Sequence, residues 1–154
     1  MYDRAVGALV EVDDAAFPII IARIPAKLDA PAIDSMFAGF DRVLERHERF
    51  ATLVDTSALT SFPDAMERAR IGEYMKSRTM AEAAYNLGNA VLIASTAART
   101  VLTAINWIRR PVTPQYMVGN FWEGIEWCGG RLAQAGIDPA RALAHLRARE
   151  AGRS

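Results

Sequence analysis

The sequence predicts an α/β fold, a single-layer, mostly parallel but mixed sheet of about five strands with helices on its faces. Three observations carry that expectation. Short apolar runs such as Phe50 to Asp55 alternate with segments whose apolar residues recur every three or four positions. Ile19, Ile20 and Ile21 follow one another without polar alternation, which is how a strand covered on both faces reads. The chain is 154 residues long, a length suited to one hydrophobic core rather than two.

Ala5 to Val12 and Phe17 to Ile24 read as two antiparallel strands, joined by the short polar link Asp13-Asp14-Ala15-Ala16. After Pro25 the period changes. Ile33, Met36, Phe37, Phe40, Val43 and Leu44 form one apolar stripe, so a helix is predicted from Asp29 to about Glu48, with Asp29 or a neighbour as cap and Pro31 in the first turn. Phe50 to Thr56 is the next strand. A polar link follows, and a helix opens at Phe62-Pro63-Asp64 with Ser61 as its expected cap. Met66, Ala69, Ile71, Tyr74 and Met75 supply its loose apolar face. The Ala-rich stretch after Arg78 reads as a helix tail, Asn86-Leu87-Gly88-Asn89 as a turn, and Ala90 to Ala94 as a strand. Ser95-Thr96 caps a helix from Ala97 to Arg110, stopped by Pro111. Gln115 to Val118 is the last strand. It leads into a helix carrying Phe121, Trp122, Ile125, Trp127, Cys128 and Leu132, which Gly129-Gly130 should weaken and Gly136 should close. Residues 139–154 read as a short final helix with a fraying end. Nothing along residues 1–154 suggests a linker or repeat, so one domain is expected.

Composition narrows the function classes. At 51% hydrophobic and 23% charged residues the chain is expected to fold as an ordinary soluble domain. Eighteen basic and eighteen acidic residues cancel, and there is neither a basic stripe with interleaved aromatics nor a glycine-rich phosphate loop, which disfavours nucleic acid and ATP hydrolysis. Cys128 is the sole cysteine, which excludes an intramolecular disulfide and suits a reducing compartment. Charges near the start break any secretory leader and no apolar run is long enough to span a bilayer, so a cytoplasmic location is expected.

The segment Leu53-Val54-Asp55-Thr56-Ser57-Ala58-Leu59 resembles the strand-and-loop signature of the SpoIIAA-like group, which includes the STAS domains of anti-sigma-factor antagonists. The strand Gln115 to Val118, running into the helix Phe121 to Trp127, resembles that group's uncharacterised bacterial branch. The resemblance implies a SpoIIAA-like domain over nearly the whole chain and a non-enzymatic regulatory or interaction role. It departs from the signalling members at Phe62-Pro63-Asp64-Ala65, where they carry an Asp-Ser-Ser-Gly segment with a phosphorylatable serine. Asp64 could imitate that phosphoserine's charge or simply serve the helix start.

Candidate site residues follow from the rule that open α/β sheets bind ligands beyond the carboxyl ends of their strands. One such end is Asp55-Thr56-Ser57; another is Ser95-Thr96 with Arg99 one turn on, where hydroxyls, helix N–H groups and a guanidinium could hold a phosphate or carboxylate. Capping alone would equally explain Ser95 and Thr96. Trp107, Trp122, Trp127 and Phe121 could line an apolar pocket or pack the core. Trp107-Ile108-Arg109-Arg110 offers a single basic pair, too little for stable membrane attachment. His47 and His145 lie apart near helix ends, so neither a catalytic triad nor a metal site is legible, and no catalytic residue, metal or cofactor is assigned. Three readings remain, of which an unrecognised enzyme is the least favoured because no acid-base pair is visible. The first is an interaction module that binds a protein partner or itself through the Asp55 to Asp64 loop and the Met66, Tyr74, Met75 face. The second is a carrier of a small anionic, apolar or lipid-like ligand near Ser95, Arg99 and Trp122, as the likeness of this fold to CRAL-TRIO lipid-binding domains implies.

Overall fold

The computed structural model describes residues 9–108 and 112–152. Residues 5–8 of the first expected strand, the Trp107 side chain, the basic pair 109–110 and Pro111 lie outside that description. The elements are β1 (Glu11–Asp13), β2 (Ile19–Arg23), α1 (Ala30–Leu44), β3 (Phe50–Asp55), α2 (Ala65–Ser77), α3 (Thr79–Tyr85), β4 (Asn86–Leu92), α4 (Thr96–Ile108), β5 (Gln115–Val118), α5 (Phe121–Gln134) and α6 (Ala140–Ala151). The five strands form one sheet in the order β1-β2-β3-β4-β5; β1 runs antiparallel to β2 and the other neighbours are parallel. The expected mixed, mostly parallel five-stranded α/β architecture is therefore present.

Each parallel crossover advances one strand in the same direction. Crossovers of one hand then place every connecting helix on one face. α1, α2 and α4 accordingly share a face, where Ala32, Ile33, Ile71 and Ile105 meet Ile24, Leu28, Leu59 and the half-buried Val54. The opposite face is covered by the C-terminal pair, through Ile125, Cys128 and Leu132 of α5 and Ala142 and Leu146 of α6. These pack on Ile19, Ile21, Ala51, Leu53, Ala90, Leu92 and Val118. The two-residue period of β-strands sorts the sheet's side chains between these two cores, and the isoleucine run of β2 is buried to within 1% because both faces are covered.

Local chemistry explains the helix starts. The Asp29 carboxylate accepts from the Ala32 N–H at 3.2 Å, as expected. The cap of α2 is Asp64, not Ser61. Its carboxylate accepts from the Glu67 N–H at 2.8 Å while the Glu67 side chain accepts from the Asp64 N–H at 2.9 Å, a reciprocal pair that satisfies two otherwise orphaned donors. Ser95 caps α4 through the Ala98 N–H at 3.1 Å, and Asn120 caps α5 through the Glu123 N–H at 2.9 Å.

Two further expectations are corrected. The stretch after Arg78 is a separate helix, α3. Asn86 to Asn89 is not a turn but the first half of β4. The turn-forming residues are held extended by tertiary partners: Gly88 lies so close to Trp127 that an added Cβ would come within 2.6 Å of its ring, and the Arg131 guanidinium donates to the Leu87 carbonyl at 2.9 Å. The glycines of α5 do not interrupt it. The helix continues through Gly129 and Gly130; Gly129 is buried and faces Leu143 and Pro139, and Gly136, at φ +82°, follows its end. The final helix runs to Ala151, with Leu146 fully buried and Arg149 pairing with Asp13 at 2.9 Å.

Candidate ligand-binding site

The strand order never reverses, so the sheet has no switch point at which neighbouring crossovers diverge and leave a crevice. That accounts for where the expected site residues lie. Asp55 accepts from the Ser57 N–H at 2.9 Å and the Ser57 hydroxyl at 2.6 Å, closing its own turn. The Thr56 hydroxyl donates to the Leu92 carbonyl, tying β3 to β4. Asp64 is engaged in its capping pair. The loop between them is anchored, since the Thr60 and Ser61 N–H groups both donate to the Ala26 carbonyl, at 2.8 and 2.9 Å. Ser95 is a cap, Thr96 is exposed and the Arg99 guanidinium lies against the Met117 sulfur. Trp122 meets Phe121 edge-on at 5.3 Å and packs on the α5 side of the sheet, away from the α4 start. The structure therefore brings Asp55, Thr56 and Ser57 together, and leaves Arg99 and Trp122 apart.

A cavity of about 180 Å³ lies instead between the sheet and α1, α2 and α4. Its floor is Val54 and Thr56 of β3, Asn89 and Val91 of β4, Ile93 just beyond it, and Gln115 of β5. Its walls are Met36 and Phe40 from α1, Ile71, Tyr74 and Met75 from α2, and Ala98, Val101, Leu102 and Ile105 from α4. Of the eight residues expected at a site, Thr56 alone lines it. A wider hollow of about 520 Å³ beside Phe17, His47, Arg49 and Tyr85 is bordered by exposed side chains, so it lacks the enclosure that removes a ligand from water. Both histidines are exposed, and among the described residues no cluster of His, Cys, Asp and Glu has metal-binding geometry.

The polar groups of the cavity gather toward the amino ends of β4 and β5. Glu82, from α3, reaches it there with Asn89 and Gln115. Burial pushes the Glu82 carboxyl above its ordinary value, opposed by the Asn86 amide, which donates to it at 2.7 Å. The same amide donates to Asn89 Oδ1 at 3.0 Å, and Asn89 in turn donates to the Thr113 hydroxyl at 3.3 Å. The Asn106 amide donates to Gln115 Oε1 at 2.8 Å, while its own Oδ1 is buried without a partner. Tyr74 shows the cavity its ring, because its hydroxyl is drawn outward to Asp41 at 2.7 Å and its ring stacks on Phe37 at 4.0 Å. The Arg78 guanidinium grips both oxygens of that Asp41, at 2.8 and 2.9 Å, and holds its pKa down. Burial, then Asp41, push the Tyr74 phenol well up, so it stays protonated. Cys128, on the opposite face, is a buried thiol pushed up to about 12 by desolvation, a packing group and not a nucleophile.

Reasoning from the sequence missed Glu82, Asn89 and Gln115. The available signal was a set of polar residues at positions that alternate with, or lie beside, core residues of β4 and β5. No known protein-family model, curated protein or solved structure matches the chain.

Proposed function

We propose that the chain is a non-enzymatic, small-ligand-binding domain of SpoIIAA-like kind, and that the cavity under α1, α2 and α4 receives the ligand. The observation that carries this reading is a half-open, mostly apolar volume of about 180 Å³ ending in a few convergent polar groups. For scale, an apolar engineered cavity of about 150 Å³ is large enough to take benzene. The cavity's hydroxyls and carboxyl are not arranged for covalent chemistry: Thr56 and Tyr74 are spoken for by Leu92 and Asp41, and Glu82 accepts from the Asn86 amide.

A protein-docking role through the Asp55 to Asp64 loop has less support. The loop's carboxylates are engaged in its own turn and cap. Of the three residues of the expected contact face, Tyr74 and Met75 turn into the cavity, leaving Met66, at 83% exposure, on the surface.

Titration with toluene tests the ligand reading. A saturable rise in melting temperature is expected, with methyl NMR shifts centred on Val54, Val91, Val101 and Ile105. No rise up to toluene's aqueous solubility limit, or shifts confined to the α5 face, would sink it.

A further inference from the structure

Resting on that reading, we propose that the cavity selects a ligand with an apolar body and a protonated amine, the amine seated on the Glu82 carboxylate. Three observations converge. First, the volume is that of a ligand only slightly larger than a benzene ring. Second, Glu82 brings a carboxyl group to a mostly apolar cavity, and among the described residues the hydrogen bond this carboxyl accepts comes from a neutral amide, Asn86. A buried carboxylate is expensive unless a cation accompanies it. The cations nearest in sequence do not serve it: Arg78 is committed to Asp41, and Lys76 is exposed on the preceding helix. A ligand ammonium would supply the missing charge and several N–H donors. Third, acceptors capable of completing an ammonium's shell lie at the same end, in the amide oxygens of Asn89 and Gln115.

An anionic or lipid-acid ligand fits this end poorly, because its carboxylate would meet Glu82 in a medium where like charges repel strongly. A neutral hydrocarbon would fill the volume yet leave the carboxyl without a counter-charge from the described residues.

Three probes of nearly equal size separate the cases: toluene, benzylamine and benzoate, titrated calorimetrically at pH 7.5. Benzylamine is expected to bind tighter than toluene by about tenfold or more, the scale of a charge-assisted hydrogen bond, with benzoate weaker than both. In Glu82→Gln the benzylamine to toluene ratio should collapse to about one. Should that variant not fold, the wild type still decides. Lowering the pH through the Glu82 titration should erase the benzylamine preference and leave toluene affinity nearly constant. Nearby titratable groups are the Tyr74 phenol of α2 and, beyond its hydroxyl, the Asp41–Arg78 pair. Tyr74 and Arg78 keep their protons over the range, and Asp41 titrates below its ordinary value. Equal affinities for toluene and benzylamine, or a preference insensitive to both Glu82→Gln and pH, would overturn the amine assignment and leave the cavity reading standing. Failure of all three probes to bind would overturn both.

Discussion

Ala98→Leu is the sharpest probe of the cavity, because the sign of its effect depends on whether the space is there. Ala98 lies in the first turn of α4, is 5% exposed and lines the cavity. Leucine adds three carbons at a helical position where its propensity nearly equals that of alanine. Each buried methylene contributes about 0.8 kcal/mol, so the gross gain is about 2.4 kcal/mol. Ordering the leucine side chain costs about 0.5 to 1 kcal/mol, which leaves a net stabilisation of about 1.5 to 2 kcal/mol. For a domain of this length that is a rise of roughly 3 to 8 °C in melting temperature. If α4 instead packed tightly on Val54 and Val91, the same three carbons would overpack the core and cost about 1 to 3 kcal/mol. Urea denaturation and calorimetry read the sign directly, and the same sample titrated with toluene should bind at least tenfold more weakly than wild type. A variant that is less stable by 1 kcal/mol or more would show that the space is already filled, and one that is more stable yet binds toluene unchanged would show that toluene binds elsewhere.

Two other predictions concern packing and charge. On α5, an added Cβ at Gly130 meets nothing within 4 Å, whereas at Gly124 it would come within 2.6 Å of Leu53 Cδ1 and 3.2 Å of Val118 Cγ2. Gly130→Ala should therefore gain about 1 kcal/mol from helix propensity, while in Gly124→Ala the overpacking of about 1 to 3 kcal/mol offsets or exceeds that gain; denaturation midpoints in the opposite order would show the α5 register to be wrong. Asp41 has a folded-state pKa held down first by its hydrogen bonds from Arg78, so the stability it contributes is present above its unfolded pKa of about 3.9 and is lost as the pH falls through the lower folded value. Asp41→Asn should cost on the order of 1 kcal/mol at pH 7, kept small because both partners are about a third exposed, and the gap should close in acid; a gap that widens as the pH falls would contradict the pairing.

Much of the sheet could be read from apolar runs, because a strand covered on both faces has nowhere to place a polar side chain. Ile19 to Ile21 and Phe50 to Val54 carried that signal plainly. Where the reading failed, local chemistry and tertiary contact pulled apart. Asn86, Leu87, Gly88 and Asn89 have the residue types of a turn, yet Trp127 from α5, thirty-nine residues downstream of Gly88, occupies the space a side chain would need there and holds the segment in the sheet. The α2 cap was a different kind of miss. Asp64 and Glu67 stand at the spacing of a capping box, a local signal that Ser61 obscured by preceding the Phe-Pro pair.

The cavity was hidden for a more general reason. A site at strand ends can be guessed from polar residues after an apolar run, but this one is made by what is missing between surfaces. Tyr74, Glu82, Asn89 and Gln115 come from four elements, and in sequence each has an ordinary alternative role: a helix-face aromatic, a solvated acid, a turn residue and a strand-edge amide. Only the one-directional strand order stacks α1, α2 and α4 on a single face, and only there do these residues border one volume. Small wall residues such as Ala98 then leave space that a leucine at the same position would close. The topology that denies the chain a crevice at its strand ends is thus the same topology that builds the cavity under its helices, which is why the Ala98→Leu and Glu82→Gln variants test the fold and the proposed function together.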